Sequence, residues 1–198
     1  RGCIPMNQDG TFTEITLDGK HYYKGKALLD YMNQIVKDAY YTKDRNAVDF
    51  MWYLWCGKNS SVYGKSKMSA FEGYFIEGTD ARKEIYNPYY KLSNDEKICD
   101  MIFREFGLNP DTSHIINGHV PVKLKDGESP VKANGKLYVI DGGISKAYRT
   151  KTGIAGYTLI FNSHHIALAE HTIASKDRVL PSRKYHDFPT GYLHPGNS

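Results

Sequence analysis

Two short apolar runs, each ending in glycine and a polar residue, set the terms for the rest of this chain. Ile115 and Ile116 lead into Asn117-Gly118-His119 and stop at Pro121, and residues 137–140 lead into Asp141-Gly142-Gly143. Apolar runs of this length bounded by breakers predict strands, the second of them buried. Glycine at a strand end lets the backbone turn sharply and come close to a ligand, so the pattern predicts a sheet with polar side chains at its edge. Imidazole is the commonest protein ligand for a transition metal. One imidazole is not a metal site, because about three or more protein ligands are needed. Spacing alone therefore leaves His119 open between a ligand and an ordinary solvated strand-end histidine. Asp141 is open in a similar way, as a surface acid or as an acceptor that orients a ligand histidine.

The stretches around these runs predict an α/β chain. Leu28, Leu29, Met32, Ile35, Val36 and Ala39 recur at helical spacing, which predicts an amphipathic helix over residues 26–41. A second helix is expected over 46–55, stopped by Gly57 as a left-handed cap. Residues 71–76 read as a strand and 79–86 as a short charged helix capped by Thr79 or Asp80, broken at Asn87-Pro88. Residues 93–106 predict the cleanest helix, with Ser93 and Glu96 as a capping box and Gly107 as its stop. Helix, turn and strand in that order are ordinary α/β construction. Residues 123–136 read equally as a lid or as a hairpin-like connection. Residues 156–161 and 166–170 predict two antiparallel strands, and adjacent His164 and His165 point to opposite faces of a strand, so they do not share an ion. From about Arg178 the sequence is rich in breakers and shows no periodicity, and His186 and His194 there are weak ligand candidates. The expected organisation is one domain over 1–177 and an irregular tail over 178–198.

A basic loop is the other place where chemistry gathers. Residues 58–68 read KNSSVYGKSKM, with Lys58, Lys65 and Lys67, three serines and Gly64. Hydroxyls, backbone amides and ammonium groups suit a phosphate oxygen. The Walker spacing is absent, and from sequence alone the loop reads first as a solvated basic turn. Lys58, Ser60 and Lys65 are its candidate contacts, joined by Lys146 and Arg149 downstream of Asp141.

Composition narrows the classes. At 198 residues the chain is long enough for a real core. A net charge of +4 suits an anionic small molecule and is too small and scattered to argue for nucleic acid. No apolar run is long enough to span a bilayer, so no membrane partner is expected. Cys3, Cys56 and Cys99 lack paired spacing and read as buried thiols in a reducing, cytoplasmic setting.

The stretches IINGHVPVK, GESPVKANGK, VIDGGISKAY and TGIAGYTLI, with GCIPMNQDG, YLWCGKNSSVYGK, KMSAFEGYFIE and NPYYKL before them, resemble the class III fructose-1,6-bisphosphatases of bacteria. The resemblance runs from Gly2 to about Asp177. It implies the C-terminal part of a calcineurin-like metallophosphatase fold, a mixed sheet sandwich flanked by helices. It further implies that His119 holds one of two divalent ions, manganese in this family, which activate a water to attack the 1-phosphate of fructose 1,6-bisphosphate in gluconeogenesis. Gly118 would allow the strand to approach the ion. The family's Asp-x-His, Gly-Asp-x-x-Asp-Arg and Gly-Asn-His-Asp motifs are absent, and Arg1 stands where the family has a histidine before Gly-Cys-Ile-Pro. The chain is thus expected to be a portion of a longer enzyme, to need the missing N-terminal part as its partner, and to be inactive alone. A homo-oligomer is left open. The competing reading is a non-catalytic module that binds a phosphorylated ligand or a protein partner.

Overall fold

A computed structural model describes residues 2–16, 18–69, 72–142, 156–162, 165–171 and 183–189. The chain divides into two compact units, residues 1–94 and 95–198.

The first unit starts with a hairpin of β1 (Ile15–Thr16) and β2 (Tyr22–Tyr23), turned at Asp18-Gly19. Asp18 holds that turn by accepting from the backbone N–H groups of Lys20 and His21 at 2.8 Å. The amphipathic helix forms as its periodicity predicts, as α1 (Gly25–Tyr41), with Leu28 and Met32 buried. Helix α2 (Arg45–Cys56) starts at Asp44, whose carboxylate accepts from the Ala47 amide at 2.9 Å. Ile15, Leu28, Met32 and Leu54 make the core between them, with Phe50 and Tyr53 at its margin.

Gly57 ends α2 for a different reason from the one expected. Its backbone is extended (φ −75°, ψ 148°), not left-handed. A Cβ there would lie 2.2 Å from the ring of Tyr53, which crosses the helix end to donate its hydroxyl to the Lys58 carbonyl at 2.9 Å. Close approach, and not a positive φ, selects the glycine.

Two further expectations in this unit are corrected. Residues 72–75 form a short helix, α3 (Glu72–Phe75), where a strand was expected; a short apolar run does not distinguish the two. The charged helix over 79–86 shrinks to one 3₁₀ turn, Asp80–Arg82, because the chain beyond it straightens to bridge Tyr86 to Lys65. Helix α4 (Tyr89–Leu92) begins after Pro88, and Ser93 closes it as a buried C-cap.

With Ser93 spent there, the first helix of the second unit, α5 (Glu96–Glu105), is capped by Asp95 instead, which accepts from the Lys97 amide at 2.8 Å. The expected capping box does not form. Its other end behaves as read: Gly107 has φ +69°, and the Leu108 and Gly107 amides return to the Phe103 and Arg104 carbonyls, the Schellman pattern.

A mixed three-stranded sheet follows, in the order β3 (Ile115–Asn117), β5 (Leu137–Val139), β4 (Val131–Lys132). Strands β3 and β5 are parallel and β4 runs antiparallel to β5, so the 123–136 connection ends as a hairpin arm. Strand β5 is buried throughout, as its apolar run requires. An antiparallel sheet contains β6 (Gly156–Phe161), β7 (His165–His171) and β8 (Arg183–Pro189) in that order. Strand β8 lies inside the segment expected to be irregular; its pairing with β7 fixes it where its own pattern does not. Cys99 and Phe103 of α5, Leu137 to Val139, Tyr157, Ile166 and Leu168 form one core. The Tyr157 hydroxyl is buried in it with no hydrogen-bond partner among the described residues.

Cys3 and Cys99 are buried thiols as read, their pKa pushed up by burial to about 12 and about 11. Cys56 is only half-buried, its thiol against the Trp52 carbonyl at 3.3 Å. Among the described residues, no helix is long and apolar enough to cross a membrane.

Candidate functional site

The parallel pair β3 and β5 sets the geometry. Ile115, Ile116 and Asn117 stand opposite Leu137, Tyr138 and Val139. The ladder continues one step further, with the Ile140 amide donating to the Asn117 carbonyl at 2.9 Å. Both strands therefore reach their carboxyl ends at the same level, which is where open α/β sheets place ligands.

At that rim β3 breaks into a three-residue turn. His119 has φ +66°, and the Val120 amide donates to the Gly118 carbonyl at 2.8 Å, closing a γ-turn around the histidine. A positive φ at a residue with a Cβ is disfavoured and persists only when its surroundings over-determine it. Here they do. The Val122 amide donates to the Asp141 carbonyl at 2.8 Å, and the Val122 side chain is buried in the core. The excursion from Gly118 to Pro121 is thus tied to the end of β5 on both sides. The His119 side chain is exposed, and a Cβ placed on Gly118 would meet nothing within 4 Å. At the opposite end of β3, His114 is committed to structure: its Nδ1 donates to the Gly135 carbonyl at 3.0 Å and its ring stands edge-on to Tyr138.

Asp141 comes to the same rim, half-buried at the end of β5. The start of β6 joins it there, since the Tyr157 amide donates to the Ile140 carbonyl at 3.1 Å. The chemistry of this donor set is one exposed imidazole and one carboxylate. Among the described residues, no group of three or more His, Cys, Asp or Glu side chains is placed to hold a metal ion. The described residues do not build a metal site by themselves.

The basic loop turns inward. Ser60 is fully buried; its hydroxyl donates to the Leu54 carbonyl at 2.6 Å and accepts from the Val62 and Tyr63 amides. Lys65 is buried too, with its ammonium on the Glu84 carboxylate and over the rings of Tyr63 and Tyr86. Glu84 also accepts from the Ser69 amide at 3.0 Å and from the hydroxyls of Ser69 and Tyr63. The Lys65 hydrogen bond, aided by the Ser69 amide, holds the Glu84 carboxyl down at about pKa 2. Lys58 alone of the three candidates in this loop is exposed. Lys146 and Arg149 lie outside the described residues, as do His164 and His194; of His165 and His186 only the backbone, in β7 and β8, is described.

Glu84 is the residue that reading the sequence missed. It comes from a separate extended segment, and no local pattern couples it to Lys65. For His119 a signal was present: a polar residue between glycine and a nearby proline, directly after an apolar run.

A strained histidine at the carboxyl rim of a parallel strand pair defines a mixed α/β protein with its candidate site at the strand ends. A family profile described as Firmicute fructose-1,6-bisphosphatase matches residues 1–187, and the chain belongs to that family. The chain is 59% identical over 175 residues to the class 3 fructose-1,6-bisphosphatase of Finegoldia magna, covering 86% of this chain and 27% of that relative. It is 59% identical over 174 residues to the one from Fusobacterium nucleatum, covering 85% and 27%. The Clostridium botulinum protein of the same name is 57% identical over 175 residues, covering 86% and 26%. The chain therefore spans about a quarter of the length of the curated relatives it matches. No solved structure matches it.

Proposed function

We propose that the full-length polypeptide hydrolyses fructose 1,6-bisphosphate to fructose 6-phosphate and phosphate in gluconeogenesis, and that His119 is one of its metal ligands. The observation that carries this reading is the γ-turn that holds His119 in a disfavoured conformation at the strand-end rim. A surface histidine with no task gains nothing from that strain. The family supplies the substrate, since its curated members are named for it.

In this reading the group is a pair of divalent ions, manganese by resemblance, within a calcineurin-like metallophosphatase fold. When bound, it supplies Lewis acidity to the phosphate ester and to the attacking water. This chain's part is to hold the His119 imidazole at the rim, with Asp141 at the end of the neighbouring strand as the acceptor proposed to orient it. Gly118 keeps the strand end narrow so that the ligand can come close. The remaining donors belong to the rest of the polypeptide, so the present stretch alone is inactive. Lys58, the exposed cation among the loop's candidates, is the one proposed to contact the substrate. The enzyme acts in the cytoplasm.

The test is phosphate release from fructose 1,6-bisphosphate by the intact polypeptide with manganese, with and without His119→Ala. Loss of release, together with loss of bound manganese measured by elemental analysis, supports His119 as a ligand. Full activity in the variant removes His119 from the centre. No release by the intact parent replaces the enzyme with a module that binds a phosphorylated ligand.

A further inference from the structure

We propose that the outer face of α2 is a docking face for the remainder of the full-length polypeptide, the part that curated relatives carry beyond the matched region. Helix α2 is apolar on two sides. Ala47 and Leu54 are buried, and Phe50 and Tyr53 pack with Leu54 against Ile15, Leu28 and Met32. The other side carries Val48, Met51, Trp52 and Trp55, which are 45, 40, 67 and 56% exposed. Those four positions follow the i, i+3, i+4, i+7 spacing of a single helix face. Residues 50–56 hold no charged or amide side chain at all. Trp52 and Trp55 meet edge to face, with ring centroids 5.0 Å apart, so they form one continuous surface.

A single exposed tryptophan is unexceptional, but a helix that is apolar all round belongs in a core. The stripe is the kind that lies in a groove of complementary apolar side chains. Two arguments choose the occupant. The matched region is 27% of the length of the Finegoldia magna relative, so most of such a polypeptide lies outside it and is tethered to this helix. Tethering gives it a high effective concentration. The stripe is also too small for a second copy: four side chains of this size offer on the order of 500 Å², against about 800 Å² per partner in a stable association. The occupant is therefore an apolar face of the same polypeptide, with polar contacts confined to the Arg45, Asn46 and Asp49 end.

The test is hydroxyl-radical footprinting of the intact polypeptide, reading oxidation of Met51, Trp52 and Trp55 by mass spectrometry. These side chains are native probes, so no variant has to fold. We expect oxidation in the native polypeptide about fivefold or more below that in urea, because a core side chain keeps under about a tenth of its surface. The protection should be the same at dilute and at high protein concentration. Native oxidation equal to that in urea overturns the proposal. Protection that appears only as concentration rises also overturns it, and assigns the face to a second copy.

Discussion

The basic loop and the strand-end rim hold similar chemistry and use it in opposite ways. In residues 58–69 the hydroxyl of Ser60 and the ammonium of Lys65 are drawn inward, to the Leu54 carbonyl and to Glu84. At the rim, the fold spends backbone hydrogen bonds and strain to hold the His119 side chain outward. A polar side chain drawn inward satisfies the fold through its own contacts, and the one at the rim is held in place by the backbone hydrogen bonds of its neighbours. Residue type alone does not separate these cases; what the side chain touches does.

The comparison breaks first at its ends. His119→Ala in the intact polypeptide should lower phosphate release about a thousandfold, with urea unfolding little changed. His119→Gly should lose activity equally and gain about 1 kcal/mol of stability, because glycine takes the positive φ without cost. Stability that falls in the glycine variant would make the histidine a structural residue like Ser60. Lys65→Met should do the reverse. It removes the buried partner of a partly buried pair, so the expected loss is about 2 kcal/mol of stability, read from the urea midpoint, with KM for substrate unchanged. A KM that rises while the midpoint holds would return Lys65 to the substrate.

The same contrast explains what could be read in advance. Helices α1 and α2 and the runs of β3, β5, β6 and β7 were legible because their patterns are local and periodic. The rim was legible as a candidate because glycine, histidine and proline follow an apolar run, although the sign of φ at His119 was not. Other features depend on competition between neighbours or on distant partners. Ser93 fits a cap at either of two helices, and the end of α4 took it, leaving Asp95 to start α5. Gly57 is required by the position of the Tyr53 ring, which the string does not display. Glu84 meets Lys65 and β8 meets β7 across distances that no window spans.

Acid should separate the two regions further. The folded-state pKa of Glu84 lies at about 2, below its ordinary value of 4.5, because Lys65 and the Ser69 amide favour the charged form. A depressed carboxyl contributes stability that is complete above its unfolded value and is lost as pH falls through its folded value. The wild type should therefore lose more stability than Glu84→Gln between about pH 5 and pH 2, measured by urea midpoints across that range. Equal losses in the two proteins would show that the pair is not formed in solution.

The smallest structural effect belongs to Gly118. Its φ is not among the positive ones, and an added Cβ meets no described atom within 4 Å. Gly118→Ala should therefore stay within about 0.5 kcal/mol of the parent, as surface substitutions do. If the empty space beside the strand end is where the ligand comes close, the same methyl should cost activity, about tenfold for a displacement well under 1 Å. A stable variant with reduced release would fix the rim as a site of close approach independently of His119. A stable variant with full release would leave the imidazole as the rim's single contribution and make this glycine a residue of the turn alone.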